Sequence, residues 1–397
     1  MVYRWFMVGF GWLFLFTAYL SFFAVAPLMR LIIKDLGLTY ATASFLSSTP
    51  CLVLAVFSLV GGAIIDKLGV RRGVGLAVLL VAVFGLLRGF ALNFLMFLTA
   101  TVGFGVGVTL TLLSVPKLIA VLNLPREKLG SAIGLSFTGI TLGVAVAMSL
   151  TLGIAELSSI GWRQPLYIYG VFSLFITFLW WSLTKEKTFK PQNVDVEKVK
   201  LKTLVSEVIK LKPLWFLAVY LFLLNMSFYG VFTWFPEFLQ VKGVSSQTAA
   251  LMLFMANVGG TVAMLFLPLW SDRIGLRKPI LAFSAMLLAS GIYLLILTAE
   301  PVVWLPVLLV GAFVQTIQLA LTIPIEIREI GPTLASSANG FICSIGYIGG
   351  FIAPWIVGFF RDLTGSFTLG FLVLTVTTLM MFIPIILLPE TGWKKRF

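Results

Sequence analysis

Histidine is absent from the 397 residues, and cysteine occurs only twice. Without histidine there is no imidazole base and no histidine metal ligand, so no metal site is expected. Cys51 and Cys343 both fall inside apolar stretches, where packing is the expected role. Charge is scarce as well. Charged residues make up 11% of the chain, against about a quarter in a soluble domain. What the chain has instead is apolar: 60% of its residues are hydrophobic. A soluble domain of this length could not bury them, so lipid must be the solvent for most of the protein. The apolar runs suit helices, because a hydrocarbon core of ~30 Å needs about 20 helical residues to cross it. Barrel strands are shorter and alternate in polarity, and they are excluded.

The net charge of +13 would suit nucleic acid, but its distribution points to membrane topology. Hydrophobic runs predict helices over 5–29, 41–65, 73–91, 94–121, 130–154 and 164–184, then 213–239, 246–271, 278–298, 302–325, 333–359 and 367–388. With the N-terminus inside, 21 of the 28 lysines and arginines fall in cytoplasmic loops or termini. Six fall outside (Arg30, Lys34, Arg88, Arg163, Lys242 and Arg361), which leaves Lys117 near the inner end of the fourth helix. This bias places both termini in the cytoplasm of a multi-pass cell-membrane protein. Ala24-Val25-Ala26 imitates a signal-cleavage site, but the run before it is too long for a signal core and has a counterpart later in the chain. It is read as a retained first helix. Residues 185–212 form the one polar linker. Val194 to Leu211 has apolar positions at helical spacing among lysines, so an interfacial amphipathic helix and a plain solvated linker both stand.

An internal repeat organises the rest. Gly62-Ala63-Ile64-Ile65-Asp66-Lys67-Leu68-Gly69-Val70-Arg71-Arg72 follows the second helix. Pro268-Leu269-Trp270-Ser271-Asp272-Arg273-Ile274-Gly275-Leu276-Arg277-Lys278 follows the eighth. Asp272 minus Asp66 is 206, and the same offset relates Gly37 to Gly243, Gly134 to Gly340, and Gly143 to Gly349. The halves, 1–184 and 213–397, are therefore read as duplicates.

The paired loop strings resemble the signature loop of the major facilitator superfamily. The resemblance covers the whole chain, since helix number, repeat and central linker agree with it. It implies an all-α fold of twelve transmembrane helices in two pseudo-symmetric six-helix bundles, with alternating access by rocking. Thr99-Ala100-Thr101-Val102-Gly103-Phe104-Gly105 lacks the arginine that many proton-coupled members carry on the fourth helix. Gly134, Gly139 and Gly143 lack the Gly-Pro pair of drug/proton antiporters. Arg88, Pro116-Lys117 and Gly358-Phe359-Phe360-Arg361-Asp362-Leu363-Thr364-Gly365 are similar to the branch of cyanate-, nitrite- and organic-anion-type carriers.

The resemblance assigns the gate to Gly62, Asp66, Lys67, Gly69, Arg71, Arg72, Asp272, Arg273, Gly275, Arg277 and Lys278. Each aspartate would approach a helix start in the other half, near Thr333 for Asp66 and near Gly130 for Asp272. A carboxylate there gains ~0.3–1 kcal/mol, enough to bias a two-state equilibrium and still allow it to reverse. The solute pathway is expected on helices one, four, seven, ten and eleven, where Tyr19, Thr109, Asn225, Tyr229, Gln315, Gln318, Asn339 and Tyr347 are polar at depth. Interhelical hydrogen bonding is the competing reading for these side chains, and the preferred one for the threonine and tyrosines. Arg30 and Arg88 could attract anions at the outer mouth, but snorkelling at helix ends is the preferred reading of both. No acid sits at the predicted midplane, so coupling to a proton or other ion stays open.

The expected function is secondary transport of a small solute, an organic or inorganic anion, with no enzymatic chemistry and no cofactor. The expected partners are that solute, a co-transported proton or ion, and membrane lipid, but not nucleic acid, and the expected state is a monomer. Export of hydrophobic compounds is the alternative, because helix one is rich in aromatics. A membrane receptor without transport is a third class, disfavoured by the duplicated gate loops.

Overall fold

Inside hydrocarbon a backbone must satisfy its own polar groups, and the helix does so within one segment. The computed structural model describes residues 2–58, 61–122, 124–157, 159–184, 208–327, 330–392 and 394. Among these residues there is no strand, and twelve helices are long and apolar enough to cross a membrane. They are α1 (Tyr3–Leu36), α2 (Tyr40–Phe57), α3 (Val70–Gly89), α4 (Phe94–Ala120), α5 (Lys128–Glu156) and α6 (Arg163–Leu183). The second six are α7 (Lys212–Val241), α8 (Ser246–Ile274), α9 (Lys278–Leu297), α10 (Trp304–Glu326), α11 (Ser337–Thr364) and α12 (Thr368–Leu387). The amphipathic-helix reading of Val194–Leu211 falls mostly outside the described residues.

α1 extends seven residues past its predicted end at 29 and turns at Ala24. Pro27 explains the turn, since it has no N–H to give to the carbonyl four residues earlier. α2 and α8 begin alike. Thr39 Oγ1 accepts the Thr42 N–H and Ser245 Oγ accepts the Thr248 N–H, each at 3.1 Å. These N-caps satisfy donors that a helix start leaves free.

The chain forms two compact units. One comprises the residues up to Leu38 and those from Phe45 through α6; the other comprises Thr39–Ser44 and α7–α12. In the first unit α1 packs on α5, α3 on α4, and α3 on α6. In the second, α7 packs on α11, α9 on α10, and α9 on α12. The same pairing recurs at an offset of six helices. Glycines set the closest approaches. A methyl on Gly105 would meet Pro50 and Val53 of α2, and one on Gly311 would meet the backbone of Ala256 on α8. Both contacts obey the repeat, since 311 − 105 and 256 − 50 are each 206. Gly143 against the Phe16 carbonyl and Gly349 against the Phe222 carbonyl form a second such pair.

Within the first unit the core beside α1 is apolar, with Phe10, Phe14 and Trp180 packed edge to face. On the outer face of α6, Val171, Phe175 and Phe178 stay exposed. In a bilayer those side chains meet lipid, so their exposure carries no penalty.

Candidate functional site

In the first unit the signature loop is a short helix, Gly61–Leu68, followed by Gly69 at φ 77° and the start of α3. Gly275 holds the equivalent turn at φ 75°, a left-handed conformation that glycine adopts without strain. Lys117 donates to the Gly62 carbonyl at 2.8 Å, which fixes the start of the short helix to α4. Arg71 reaches α6, where Nε donates to Thr184 Oγ1 at 3.2 Å and Nη2 to the Trp181 carbonyl at 3.1 Å. Its guanidinium also lies 5.0 Å from the Trp181 ring, a cation–π distance. Lys67 and Arg72 are exposed. The Asp66 side chain lies outside the described part of the structure.

In the second unit the loop is a charge network. Arg277 Nη1 pairs with Asp272 Oδ1 at 2.6 Å, and Nη2 with Glu326 Oε1 at 2.5 Å. Ser271 Oγ accepts from Nη1 at 3.0 Å, and Thr391 donates to Glu326 Oε2 at 2.7 Å. The Glu326 carboxylate raises the Arg277 pKa above the ordinary arginine value, and Asp272 adds to the effect. One guanidinium thus ties the ends of α8 and α10 to the segment after α12. Glu390 caps the start of α9, where it accepts the N–H groups of Arg277 and Lys278 at 2.6 and 3.1 Å. Lys278 Nζ donates to the carbonyls of Ile386 and Leu388 at 2.7 and 2.9 Å. Arg273 is exposed. Sequence reasoning missed Glu326 and Glu390. Each is an acid at a helix end beside a cluster of basic residues, and that was the available signal.

The polar positions expected along the pathway separate into two groups. In the second unit Asn225 and Tyr229 lie one turn apart on α7, both buried. The rings of Tyr229 and Tyr347 stand 6.4 Å apart, so α7 and α11 bring two expected residues together. Asn225 Nδ2 and Asn339 Oδ1 are buried without a hydrogen-bond partner. Gln315 sits in a 3-10 segment, Val314–Thr316, that interrupts α10. Such interruptions often mark hinges or functional positions. The Gln318 side chain is outside the described part. In the first unit Tyr19 is buried beside Phe22, ring centroids 6.0 Å apart, and Phe22 lies 6.4 Å from Phe104. Thr109 is buried and donates within its own helix to the Gly105 carbonyl, 2.8 Å away.

One expectation is overturned. Arg88 does not snorkel: it is 1% exposed, and Nη2 donates to the Ser21 carbonyl of α1 at 2.8 Å. Its guanidinium lies 3.8 Å from the centroid of the Phe104 ring. That aromatic face and that carbonyl turn the side chain into the unit and away from the helix end. No cluster of three potential metal ligands occurs among the described residues.

The sequence profile of the Major Facilitator Superfamily matches residues 11–354. The chain belongs to that superfamily. It is a multi-pass membrane transporter by membership, and its twelve helices agree with the fold. An uncharacterized transporter of Bacillus subtilis, YycB, is 26% identical over 368 residues, covering 90% of this chain and 87% of the relative. The cyanate transport protein CynX of Escherichia coli is 24% identical, covering 90% and 91%. The gentisate transporter of Corynebacterium glutamicum is 24% identical, covering 88% and 79%. Among solved structures, a bacterial homologue of the lysosomal transporter Spinster superposes with a TM-score of 0.78 at 16% identity, covering 97% of this chain and 96% of that one. At that identity the likeness speaks for the fold alone.

Proposed function

We propose that this superfamily member is a secondary transporter of the plasma membrane for a small organic or inorganic anion. It works by alternating access of the bundles 1–184 and 213–397, with both termini in the cytoplasm. The excess of lysine and arginine on one side of the helices supports that orientation. The single observation that carries the anion reading is Asn225 Nδ2, a buried N–H donor on α7 with no acceptor among the described residues. An unsatisfied donor in an apolar interior costs ~1–3 kcal/mol. An anionic solute is an acceptor that would relieve it. The names of the cyanate and gentisate relatives support the same class.

Uptake of labelled cyanate and gentisate into proteoliposomes, with and without an inward proton gradient, tests the proposal. Saturable uptake of either anion supports it, and a rise with the gradient adds proton coupling. A second reading, export of hydrophobic compounds, is favoured by the rings of Tyr19, Phe22 and Phe104. It takes precedence if both anions are refused and a hydrophobic cation dye is moved instead.

A further inference from the structure

Arg88 is a buried charge that the fold itself does not require. Its guanidinium has one carbonyl acceptor, Ser21 O, and one aromatic face, Phe104. Its Nε has no hydrogen-bond partner, and among the described residues no carboxylate pairs with it. A carbonyl and a ring face offset part of the desolvation of a cation, but they do not neutralise it.

The internal repeat supplies a control. The offset of 206 places Leu294 opposite Arg88, Val310 opposite Phe104, and Gly291 opposite Gly85. In the second unit Gly291 of α9 approaches Val310 of α10. The same helix contact is thus built there from apolar side chains. Packing alone does not call for an arginine at residue 88.

Its neighbours lie on helices expected to line the solute path. Ser21 is two residues from Tyr19 on α1, and Phe104 adjoins Phe22. In protein of effective dielectric about 20, a fixed charge acts roughly fourfold more strongly than in water. Its field reaches a solute without contact, and full burial does not prevent that.

We propose that Arg88 is the anion-selecting charge of the first unit, a positioning residue that favours a negative solute by its field. The inference rests on the anion reading above. It assigns the selectivity to a side chain on α3, one helix removed from those expected to touch the solute.

Two substitutions remove the net charge by different routes. Arg88→Gln deletes it and keeps an N–H donor for Ser21. Gly85→Asp keeps Arg88 and adds a counter-ion, since a Cβ on Gly85 would lie 4.0 Å from Arg88 Nη2 with only ordinary contacts around it. Arg88→Lys retains the charge. The measurements are uptake kinetics for labelled cyanate and gentisate in proteoliposomes, and the shift in melting temperature produced by gentisate and by its uncharged methyl ester. For Arg88→Gln and Gly85→Asp, KM for the anion should rise about tenfold with Vmax within about twofold, since tenfold corresponds to ~1.4 kcal/mol. The stabilisation by gentisate should fall in parallel while that by the ester stays. Arg88→Lys should remain within about threefold of the native protein, a small part of that difference. If Arg88→Gln does not fold, Gly85→Asp carries the test. Native anion affinity in the charge-neutral proteins overturns the inference and leaves the anion reading standing, as does an equal loss in Arg88→Lys. If the native protein takes up neither anion, both fall.

Discussion

Asp362 accepts the backbone N–H of Tyr40 on one carboxylate oxygen and that of Ala41 on the other, at 2.9 and 2.8 Å. Tyr40 and Ala41 open α2, so a negative charge sits on the positive end of a helix. Ser44 Oγ, one turn on, donates to the Pro354 carbonyl at 2.8 Å, and Gly358 leaves the space this needs. These contacts account for the place of Thr39–Ser44 in the second unit, while α2 from Phe45 on belongs to the first. Asp362→Asn keeps the size and loses the charge and one acceptor. Such a cap is worth about 0.5–2 kcal/mol. Hydrogen exchange at Ala43 and Ser44 should accelerate by roughly twofold to thirtyfold in this variant, with the core of α7 unaffected. Unchanged exchange there would mean that Asp362 does not restrain the helix start.

Arg277 gives a prediction of opposite character, a stabilising network in a loop that the family resemblance assigns to gating. Glu326→Gln removes the strongest of its charge partners and should destabilise the second unit by about 1–3 kcal/mol. Combined with Arg277→Gln, the two losses should fall short of additivity by at least ~0.5 kcal/mol. The pH dependence follows from the direction of the shift. Glu326, and then Asp272, hold the Arg277 pKa above its unfolded value. A base shifted upward contributes its stability at every pH below the unfolded value and loses it only as pH rises through the folded one. The folded value lies above the ordinary arginine value and the unfolded value at it, both far above neutrality, so titration of Arg277 leaves the melting temperature flat from about pH 6 to 9. Melting curves of the native protein and of Arg277→Gln should therefore run parallel over that range.

How far the sequence can be read is clear from these same residues. Twelve spans were legible because lipid demands runs of about 20 apolar residues, a signal with few imitators. The repeat was legible because one offset recurs, and it reappears in three dimensions at Gly105 with Pro50 and at Gly311 with Ala256. A carboxylate seated on a helix start was expected from Asp66 and Asp272. Among the described residues the device is observed at Asp362 on α2 and Glu390 on α9, Asp272 pairs with Arg277, and the Asp66 side chain lies outside the described part. Sequence spacing shows which residues could cap a helix, but the choice among acids depends on which helix ends meet in space. Arg88 failed for a related reason: its depth is set by Phe104 and Ser21, which are remote in the chain.

The repeated glycine contacts should respond alike. Gly105→Leu and Gly311→Leu each drive a side chain into a neighbouring helix, at Pro50 and Ala256 respectively. Overpacking of this kind typically costs about 1–3 kcal/mol, more where backbone is the obstacle. Gly311→Leu should be the more harmful, because the two atoms nearest its added Cβ are Ala256 backbone, whereas at Gly105 the approach is looser and the nearest atom belongs to the Val53 side chain. Fluorescence-detected thermal melting in detergent would rank the two, and a native melting temperature in Gly311→Leu would contradict the close approach.

Asn225 separates function from stability most directly. It is 1% exposed on α7, and its Nδ2 finds no acceptor among the described residues. A merely structural asparagine would be expected to hydrogen-bond a neighbouring helix, and its loss would then destabilise the protein. An orphaned donor behaves oppositely, because replacing it with an apolar group of similar size removes an unmet desolvation cost of ~1–3 kcal/mol. Asn225→Leu should therefore raise the melting temperature and at the same time reduce saturable anion uptake at least tenfold, the trade-off expected of a residue retained for binding. Asn225→Asp replaces the donor with a negative charge and should abolish uptake of an anion altogether. The two measurements must move in opposite directions for Asn225→Leu. A fall in stability with uptake intact would return Asn225 to the ordinary population of interhelical hydrogen bonds and leave the anion reading without its principal support.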